Sequence, residues 1–446
     1  MSTKYLFKTK PYGHQVLALR KLLKKKRGGG LFMEMGTGKT KVAIDYACAR
    51  EMKHEINQVL VLGPLSTLGV WDAEIRKHAP DSSQLTWKVI NYDKARIPHY
   101  LNQLFTYCRG GRTLLVCDEA HKLKNPQSKQ SKAAYALSKR CVATLALTGT
   151  PITKHPLDLF GELRVVDDTI LGSSWGIFKK TYAMWGGYGG YQLIKYMNLK
   201  ALRTRVDPYI FIAKKEDCLD LPKRTHEIIP VHLSKSRRRY EQMARDSIVE
   251  FENGDISEAP IVLTRLLRLS QCSGGYLRAD DGKYVRVGEE KKEAFNALVG
   301  EMVEQDIEKV VVFVRFLNEL KDVAKVCAHH GYHVLPFYGG VKASVRQQRI
   351  AEFDEANTPT AFVAQIQAGS LGISLTAAST AIFYSHTYDY AEFAQACDRL
   401  HRIGQSHPVT YYHLVAQDTI DEAVWLSLKT KRNVAEVVMS RPELLI

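Results

Sequence analysis

Met35-Gly36-Thr37-Gly38-Lys39-Thr40 places an ammonium and a hydroxyl directly after a glycine turn. Backbone N–H groups in such a turn converge on one concavity, and a following helix adds its positive dipole end, so the turn suits phosphate. Gly36, Thr37 and Gly38 would offer their N–H groups, Lys39 would reach the terminal phosphates, and Thr40 would ligate Mg²⁺. Further along, Leu114-Leu115-Val116-Cys117-Asp118-Glu119-Ala120-His121 is an apolar run that ends in two carboxylates. Asp118 can hold the Mg²⁺ shell, and Glu119 can orient or deprotonate an attacking water. The two strings together describe a site that hydrolyses a nucleoside triphosphate. The strict phosphate-loop pattern has glycine five residues before Gly38, where this chain has Met33. Taken singly, the strings could be a glycine turn and a solvated helix start. Their order, each at the edge of an apolar run, favours the chemistry.

These groups need rigid elements to hold them. Residues 1–153 alternate short apolar runs with helical patterns. Expected strands are Gly30–Glu34, Val59–Gly63, Lys88–Tyr92, Thr113–Cys117 and Thr144–Leu147. Continuous apolar runs of this length suit parallel strands covered on both faces. This is a doubly wound α/β lobe. The pattern breaks over 154–305. Residues 154–225 are rich in aromatics and glycine, including Gly186-Gly187-Tyr188-Gly189-Gly190-Tyr191. That string could be a mobile loop at nucleic acid or a tight turn with core aromatics. Residues 226–305 read as mainly helical and carry Lys235-Ser236-Arg237-Arg238-Arg239. Over 306–446 the α/β rhythm resumes, with strands expected at Lys309–Val314, His333–Tyr338, Ala361–Gln365, Ala381–Ser385 and Val409–Val415.

The length of 446 residues allows two or three domains. No apolar run reaches the roughly 20 residues of a membrane span. The start, Met1-Ser2-Thr3-Lys4-Tyr5, lacks the apolar core of a signal peptide. The eight cysteines are scattered without a Cys-x-x-Cys pair, which argues for reduced thiols in a cytoplasmic or nuclear setting and against a zinc site. A net charge of +16 suggests a polyanionic partner, the alternative being a basic surface kept for solubility. The run Lys21-Leu22-Leu23-Lys24-Lys25-Lys26-Arg27 reads as the solvated face of a helix.

Two α/β lobes with one phosphate loop call for a second half of the site. Arg399 and Arg402, within Gln395-Ala396-Cys397-Asp398-Arg399-Leu400-His401-Arg402-Ile403-Gly404-Gln405, are three apart and expected on one helix face. Guanidinium groups there could cross a cleft to the γ-phosphate and stabilise transition-state charge. At this point the chain resembles superfamily-two helicases, and within them the SWI/SNF-related double-stranded DNA translocases, over nearly its whole length. Pro11-Tyr12-Gly13-His14-Gln15 looks like the family's adenine-reading segment, with Gln15 the reader. Gly63-Pro64-Leu65-Ser66, with Trp71 and Glu74, is similar to its first DNA-backbone motif, and Ile90-Asn91-Tyr92-Asp93 to the next. Leu147-Thr148-Gly149-Thr150-Pro151-Ile152 resembles the motif that couples hydrolysis to lobe movement. Asp207-Pro208-Tyr209-Ile210 and Leu221-Pro222-Lys223-Arg224 resemble the entry to the inter-lobe insertion. Tyr338-Gly339-Gly340, with Arg346 and Phe353, and Gln367 through Ala378 fit the second lobe. The string Arg399-Leu400-His401-Arg402-Ile403-Gly404-Gln405 separates this family from related RNA helicases.

The resemblance implies two RecA-like doubly wound parallel-sheet lobes with a mainly helical inter-lobe insertion. It implies an ATP-dependent, DNA-stimulated ATPase using ATP and Mg²⁺. Gln15, Gly36, Thr37, Gly38, Lys39, Thr40, Gly372 and Gln395 would hold the nucleotide, and Thr40 and Asp118 the Mg²⁺. Lys39, Asp118, Glu119, Arg399 and Arg402 would carry catalysis. Pro64, Ser66, Tyr92, Thr148, Thr150, Gly340 and Thr376 would contact DNA. Departures are Ser374 where Asn is usual, Thr153-Lys154 for Gln-Asn, and Phe211-Ile212-Ala213 in place of a stretch ending in two arginines. The chain reads as a bare motor of the compact prokaryotic or viral type, expected to be a cytoplasmic monomer without membrane attachment. The expected partner is duplex or branched DNA, bound without regard to sequence. A strand-separating helicase and an ATP-gated DNA clamp remain as alternatives.

Overall fold

The computed structural model describes residues 5–149, 156–187, 192–252, 259–278, 283–369 and 373–431, with 434, 437 and 438. The chain divides into two compact units, Met1–Asp220 and Leu221–Ile446. In the first, strands β1 (Gly28–Met33), β2 (Gln58–Gly63), β3 (Thr86–Asn91), β4 (Thr113–Cys117), β5 (Ala143–Thr148) and β6 (Ile210–Ala213) form one sheet in the order β3-β2-β4-β5-β1-β6. Every pairing in it is parallel. The second unit repeats the plan with β7 (Arg224–Val231), β8 (Lys309–Val314), β9 (His333–Phe337), β10 (Thr360–Gln365), β11 (Thr380–Phe383) and β12 (Val409–Ala416), ordered β9-β10-β8-β11-β12-β7. Its pairings are also all parallel.

Successive side chains of a strand point to opposite faces of a sheet, so a strand covered on both sides must be apolar throughout. That rule explains the runs seen in the sequence. Leu60, Leu62, Leu115, Cys117 and Ala146 enter one core, and their neighbours Val59, Val61, Leu114, Val116 and Leu145 enter the other. The second sheet divides in the same way, with Val311, Phe313, Phe362 and Phe383 on one side and Val310, Val312, Val363 and Ile382 on the other. The ten strands expected from the sequence are all present, with ends within two residues.

Two strands of the large sheets were not expected, nor were two small antiparallel pairs, Ala183–Gly186 with Gln192–Tyr196 and Tyr276–Arg278 with Tyr284–Arg286. β6 and β7 are sheet edges, and both fall in the stretch expected to be an inter-lobe insertion. β6 contains Phe211-Ile212-Ala213, which continues the first sheet along β1. β7 is exposed over most of its length and joins β12 residue by residue, so residues 226–231 are strand where helix was expected. Segment 154–305 is thus shared between the two units, and the chain passes from one to the other at 220/221. The remainder is mainly helical, with Leu159–Arg164, Trp175–Tyr182 and Leu199–Val206 on the first unit and Glu290–Glu304 on the second. Four helices position the chemistry: α1 (Gly13–Leu23), α2 (Lys39–Glu51), α3 (Leu68–His78) and α4 (Tyr390–Leu400). Among the described residues, no helix is long and apolar enough to cross a membrane.

Candidate active site

In the first unit the chemistry gathers at the C-terminal ends of β1, β4 and β5, where an open parallel sheet places its ligands. β1 runs into the turn Glu34–Gly38, and α2 starts at Lys39. Gly36 and Gly38 both have left-handed backbone, φ +79° and +85°, which costs other residues about 1–2 kcal/mol. A β-carbon on Gly38 would also lie 2.2 Å from Gln15 Nε2. The turn is braced from inside. Thr37 is fully buried, and its hydroxyl donates to Glu34 O at 2.6 Å. His14 Nε2 and Gln15 Nε2 each donate to Thr37 O, at 2.8 and 3.0 Å. Gln15 Oε1 accepts from Tyr12 N at 3.0 Å. The carboxamide keeps one N–H and one lone pair for another partner. The Lys39 ammonium is tucked under the turn, donating to Met33 O at 2.9 Å. Thr40 is half-buried in the first turn of α2.

Asp118 follows β4 and is buried. Its Oδ2 accepts from Trp71 Nε1 at 3.0 Å, its Oδ1 from Glu119 N at 3.0 Å, and its carbonyl from the Tyr92 hydroxyl at 2.8 Å. Burial, with the Glu119 charge beside it, pushes the Asp118 carboxyl up to about 6, and Lys39 and the Trp71 bond oppose the rise. Glu119 has left-handed backbone, φ +50°, a strained state for a residue with a side chain. Its carboxylate sits 3.2 Å from His121 Nδ1. Thr148 closes β5, fully buried, opposite Phe32 of β1. A β-carbon on the next residue, Gly149, would be 3.3 Å from Lys39 Nζ. Lys39, Asp118, Glu119 and the end of β5 therefore share one small volume.

The second unit assembles a different constellation. α4 ends at Leu400 and is capped by His401 with non-helical backbone, φ −95° and ψ 79°. Arg402 therefore lies in the following turn, which corrects the expectation that Arg399 and Arg402 share a helix face. Both arginines still converge, because Arg399 Nη1 and Arg402 Nη1 each donate to Ile373 O, at 3.4 and 3.3 Å. Gln405 is the clamp of this turn. Its Nε2 donates to Ala378 O at 2.9 Å and to Thr376 O and Leu400 O at 3.3 Å, and its Oε1 accepts from His407 N at 3.0 Å. Thr376 is half-buried with its hydroxyl 3.3 Å from that of Ser374, and Gln395 is half-buried on α4.

The remaining candidate residues divide by exposure. Pro64 is half-buried ahead of the short turn Leu65–Thr67. Gly340 is exposed beyond β9, beside the Tyr338 and Gly339 carbonyls that Arg346 binds. Tyr92, by contrast, is buried with its hydroxyl engaged. Gly372, Thr150, Thr153-Lys154 and the Gly/Tyr string from 188 to 191 lie outside the described residues, as does the side chain of Ser66. Within the basic cluster, Arg237 is spent internally on Glu241 at 2.6 Å, and Ser236 is buried on Glu290. The sequence reading quoted His14 and Gly149 only within motifs, without their roles here, and overlooked the Ile373 carbonyl and the bracing work of Gln405. Trp71 was noticed as part of a motif, but nothing in the sequence marks it as a donor to Asp118.

Comparison with known proteins places the chain. The SNF2-related domain matches residues 13–109 and 102–274, and the helicase conserved C-terminal domain matches 290–404. The chain belongs to the SNF2-related family. An ATP-dependent helicase of Mycoplasma pneumoniae is 29% identical over 427 residues, covering 91% of this chain and 40% of that protein. The mouse chromodomain-helicase-DNA-binding protein 1-like is 27% identical over 438 residues, covering 91% of this chain and 47% of that one. The chain thus spans under half the length of these relatives. Among solved structures, the Sulfolobus solfataricus SWI2/SNF2 ATPase core in complex with dsDNA aligns with 99% of this chain and 96% of its own, at 22% identity and a TM-score of 0.44.

Proposed function

We propose that this chain is an ATP-driven motor that moves along double-stranded DNA and remodels forked or branched DNA. The observation that carries this reading is the convergence of Lys39, Asp118, Glu119 and Gly149 at the C-terminal edge of the first sheet, in a chain of the SNF2-related family. The positive-φ turn would present the Gly36 and Gly38 N–H groups to phosphate, while Thr37 N bonds Glu34 O at 3.3 Å, and the Lys39 ammonium exchanges main-chain carbonyls for phosphate oxygens. The spare N–H and lone pair of Gln15 suit the edge of an adenine. The donor set fits a magnesium ion, with the Thr40 hydroxyl and a buried carboxylate, Asp118, whose ionised form a cation beside it would favour against burial. Mg²⁺ there would neutralise phosphate charge.

Glu119, held beside His121, orients the water. The water oxygen bonds to the γ-phosphorus as the bond to the ADP oxygen breaks, and the water proton passes to Glu119. Arg399 and Arg402, already aimed at one point, supply charge to the transition state when the lobes close. Segment 154–305, apart from the edge strands β6 and β7, serves as the family's inter-lobe insertion. Backbone contacts from Pro64, Ser66, Gly340 and Thr376 track the phosphates, so binding is indifferent to sequence. The test is ATP hydrolysis measured with duplex, single-stranded, forked and four-way DNA, with RNA as control, together with displacement of a third strand from a triplex. Stimulation by duplex with triplex displacement supports the reading. Unwinding of a tailed duplex without triplex displacement identifies a strand-separating helicase, and absence of stimulation by any DNA identifies a passive clamp.

A further inference from the structure

Two segments that resemble DNA-backbone motifs each end on the same residue, Asp118. The first leaves β2, where Leu62 O accepts Asp118 N at 2.7 Å. Gly63 then passes so close to Asp118 that an added β-carbon would lie 3.4 Å from Asp118 Cβ. The turn that follows is closed by the Thr67 hydroxyl on Pro64 O at 3.1 Å and thrusts Leu65 into solvent, 73% exposed. One helical turn later Trp71, 1% exposed, returns its indole N–H to Asp118 Oδ2. A buried indole N–H needs an acceptor, and this carboxylate is the one it has.

The second segment leaves β3 and has the same two-ended form. Asn91 caps the short helix Tyr92–Ala95, and Asp93 faces solvent. Tyr92, 4% exposed, carries its hydroxyl inward to Asp118 O. Each segment therefore has an exposed tip and a buried foot, and both feet stand on Asp118.

We propose that Trp71 and Tyr92 are positioning residues that transmit DNA contact at segments 63–67 and 91–94 to the metal-holding carboxylate Asp118. Tyr92 in this role acts beneath the DNA surface, not upon it. The inference rests on the motor reading above. DNA that shifts either tip shifts the orientation of Oδ2 or of the Asp118–Glu119 peptide, and hence the fit for metal–nucleotide. Coupling of this kind is reciprocal, so DNA must tighten metal–nucleotide binding by the factor that metal–nucleotide tightens DNA binding.

The test uses the full chain with Mn²⁺ and ADP, and reads free Mn²⁺ by its electron paramagnetic resonance signal with and without duplex DNA. This measures binding without turnover. Removing a hydrogen-bond partner of a metal ligand costs roughly 10–100-fold in metal affinity, so Trp71→Phe weakens Mn²⁺·ADP binding by about tenfold. In Trp71→Phe and in Tyr92→Phe, the tightening produced by DNA falls toward unity, while the Kd for DNA without nucleotide stays within about twofold of the parent. Tyr92→Phe is nearly isosteric and keeps the test valid if Trp71→Phe misfolds. Wild-type tightening in Tyr92→Phe overturns the proposal, and so does loss of nucleotide-free DNA binding in that variant, which would make Tyr92 a direct contact. A parent protein that binds Mn²⁺·ADP without any effect of DNA also overturns it. A parent that binds no Mn²⁺·ADP at all refutes the motor reading itself.

Discussion

Three imidazoles from distant parts of the chain form a hydrogen-bonded row in the second unit, and acid should break it. His226 Nδ1 meets His413 Nε2 at 3.0 Å, and His413 Nδ1 meets His386 Nε2 at 2.9 Å. The rings stack at 5.2 Å between centroids, walled by Trp425, Phe383 and Phe393. Each shared contact needs one donor and one acceptor, so a neutral row is consistent and a second added proton sets two N–H groups face to face. Burial holds His386 down to about 3, helped by the Lys291 charge. His413 is held far below its ordinary value by burial and by the two flanking imidazoles. Burial, with Arg224 and His401, takes the exposed His226 to about 4. The folded state thus binds fewer protons than the unfolded chain, whose histidines titrate near 6.5. Stability is therefore complete above that value and falls as pH drops below it. At pH 5 the cost is about 2 kcal/mol for each of His386 and His413, together about 4 kcal/mol. His226 adds less, because solvent screens it. For a unit of this size the loss lowers Tm by roughly 10 °C. Hydrogen exchange of β12, corrected for intrinsic rates, should show that loss between pH 7.5 and 5. His386→Gln, whose amide occupies the place of Nε2, should halve it. Equal β12 protection at both pH values, or an unchanged slope in His386→Gln, would refute the reasoning.

Gly38→Ala should abolish ATP binding, since it adds about 1–2 kcal/mol of backbone strain and displaces Gln15 from the turn; nucleotide binding by filter or fluorescence decides. Glu119→Gln should bind ATP and hydrolyse it at least about 100-fold more slowly, and failure to bind would contradict its assignment to the water. Arg402→Ala should reduce turnover by about 10³-fold with little change in DNA affinity, Arg399→Ala less so. Loss of DNA binding instead would make that arginine a backbone contact. Gln405→Ala leaves buried carbonyls without their donor at about 1–3 kcal/mol, so calorimetry should show a less stable protein and kinetics a slower one, through the loosened turn that carries Arg402.

The sequence alone determined the two-lobed plan and marked the candidate phosphate site. Parallel strands covered on both faces must be continuously apolar, so β1 to β5 and β8 to β12 were legible as runs. The glycine turn, Lys39 and the Asp118-Glu119 pair were legible because phosphate and metal chemistry restrict residue type at fixed spacing. What the tertiary structure decided is everything that depends on a distant partner. β6 and β7 are strands because β1 and β12 offer them an edge, and the polar Arg224-Thr225-His226-Glu227 has no apolar pattern to reveal it. Arg402 leaves the helix because His401 ends it, and the two arginines converge on a carbonyl 29 residues before Arg402. Trp71 and Tyr92 face inward because the chain that bears them folds back over β4. The histidine row joins positions 226, 386 and 413, which only sheet pairing brings together. Local pattern reflects what each residue must be covered by, but which residues meet is settled by the packing of segments far apart in the chain.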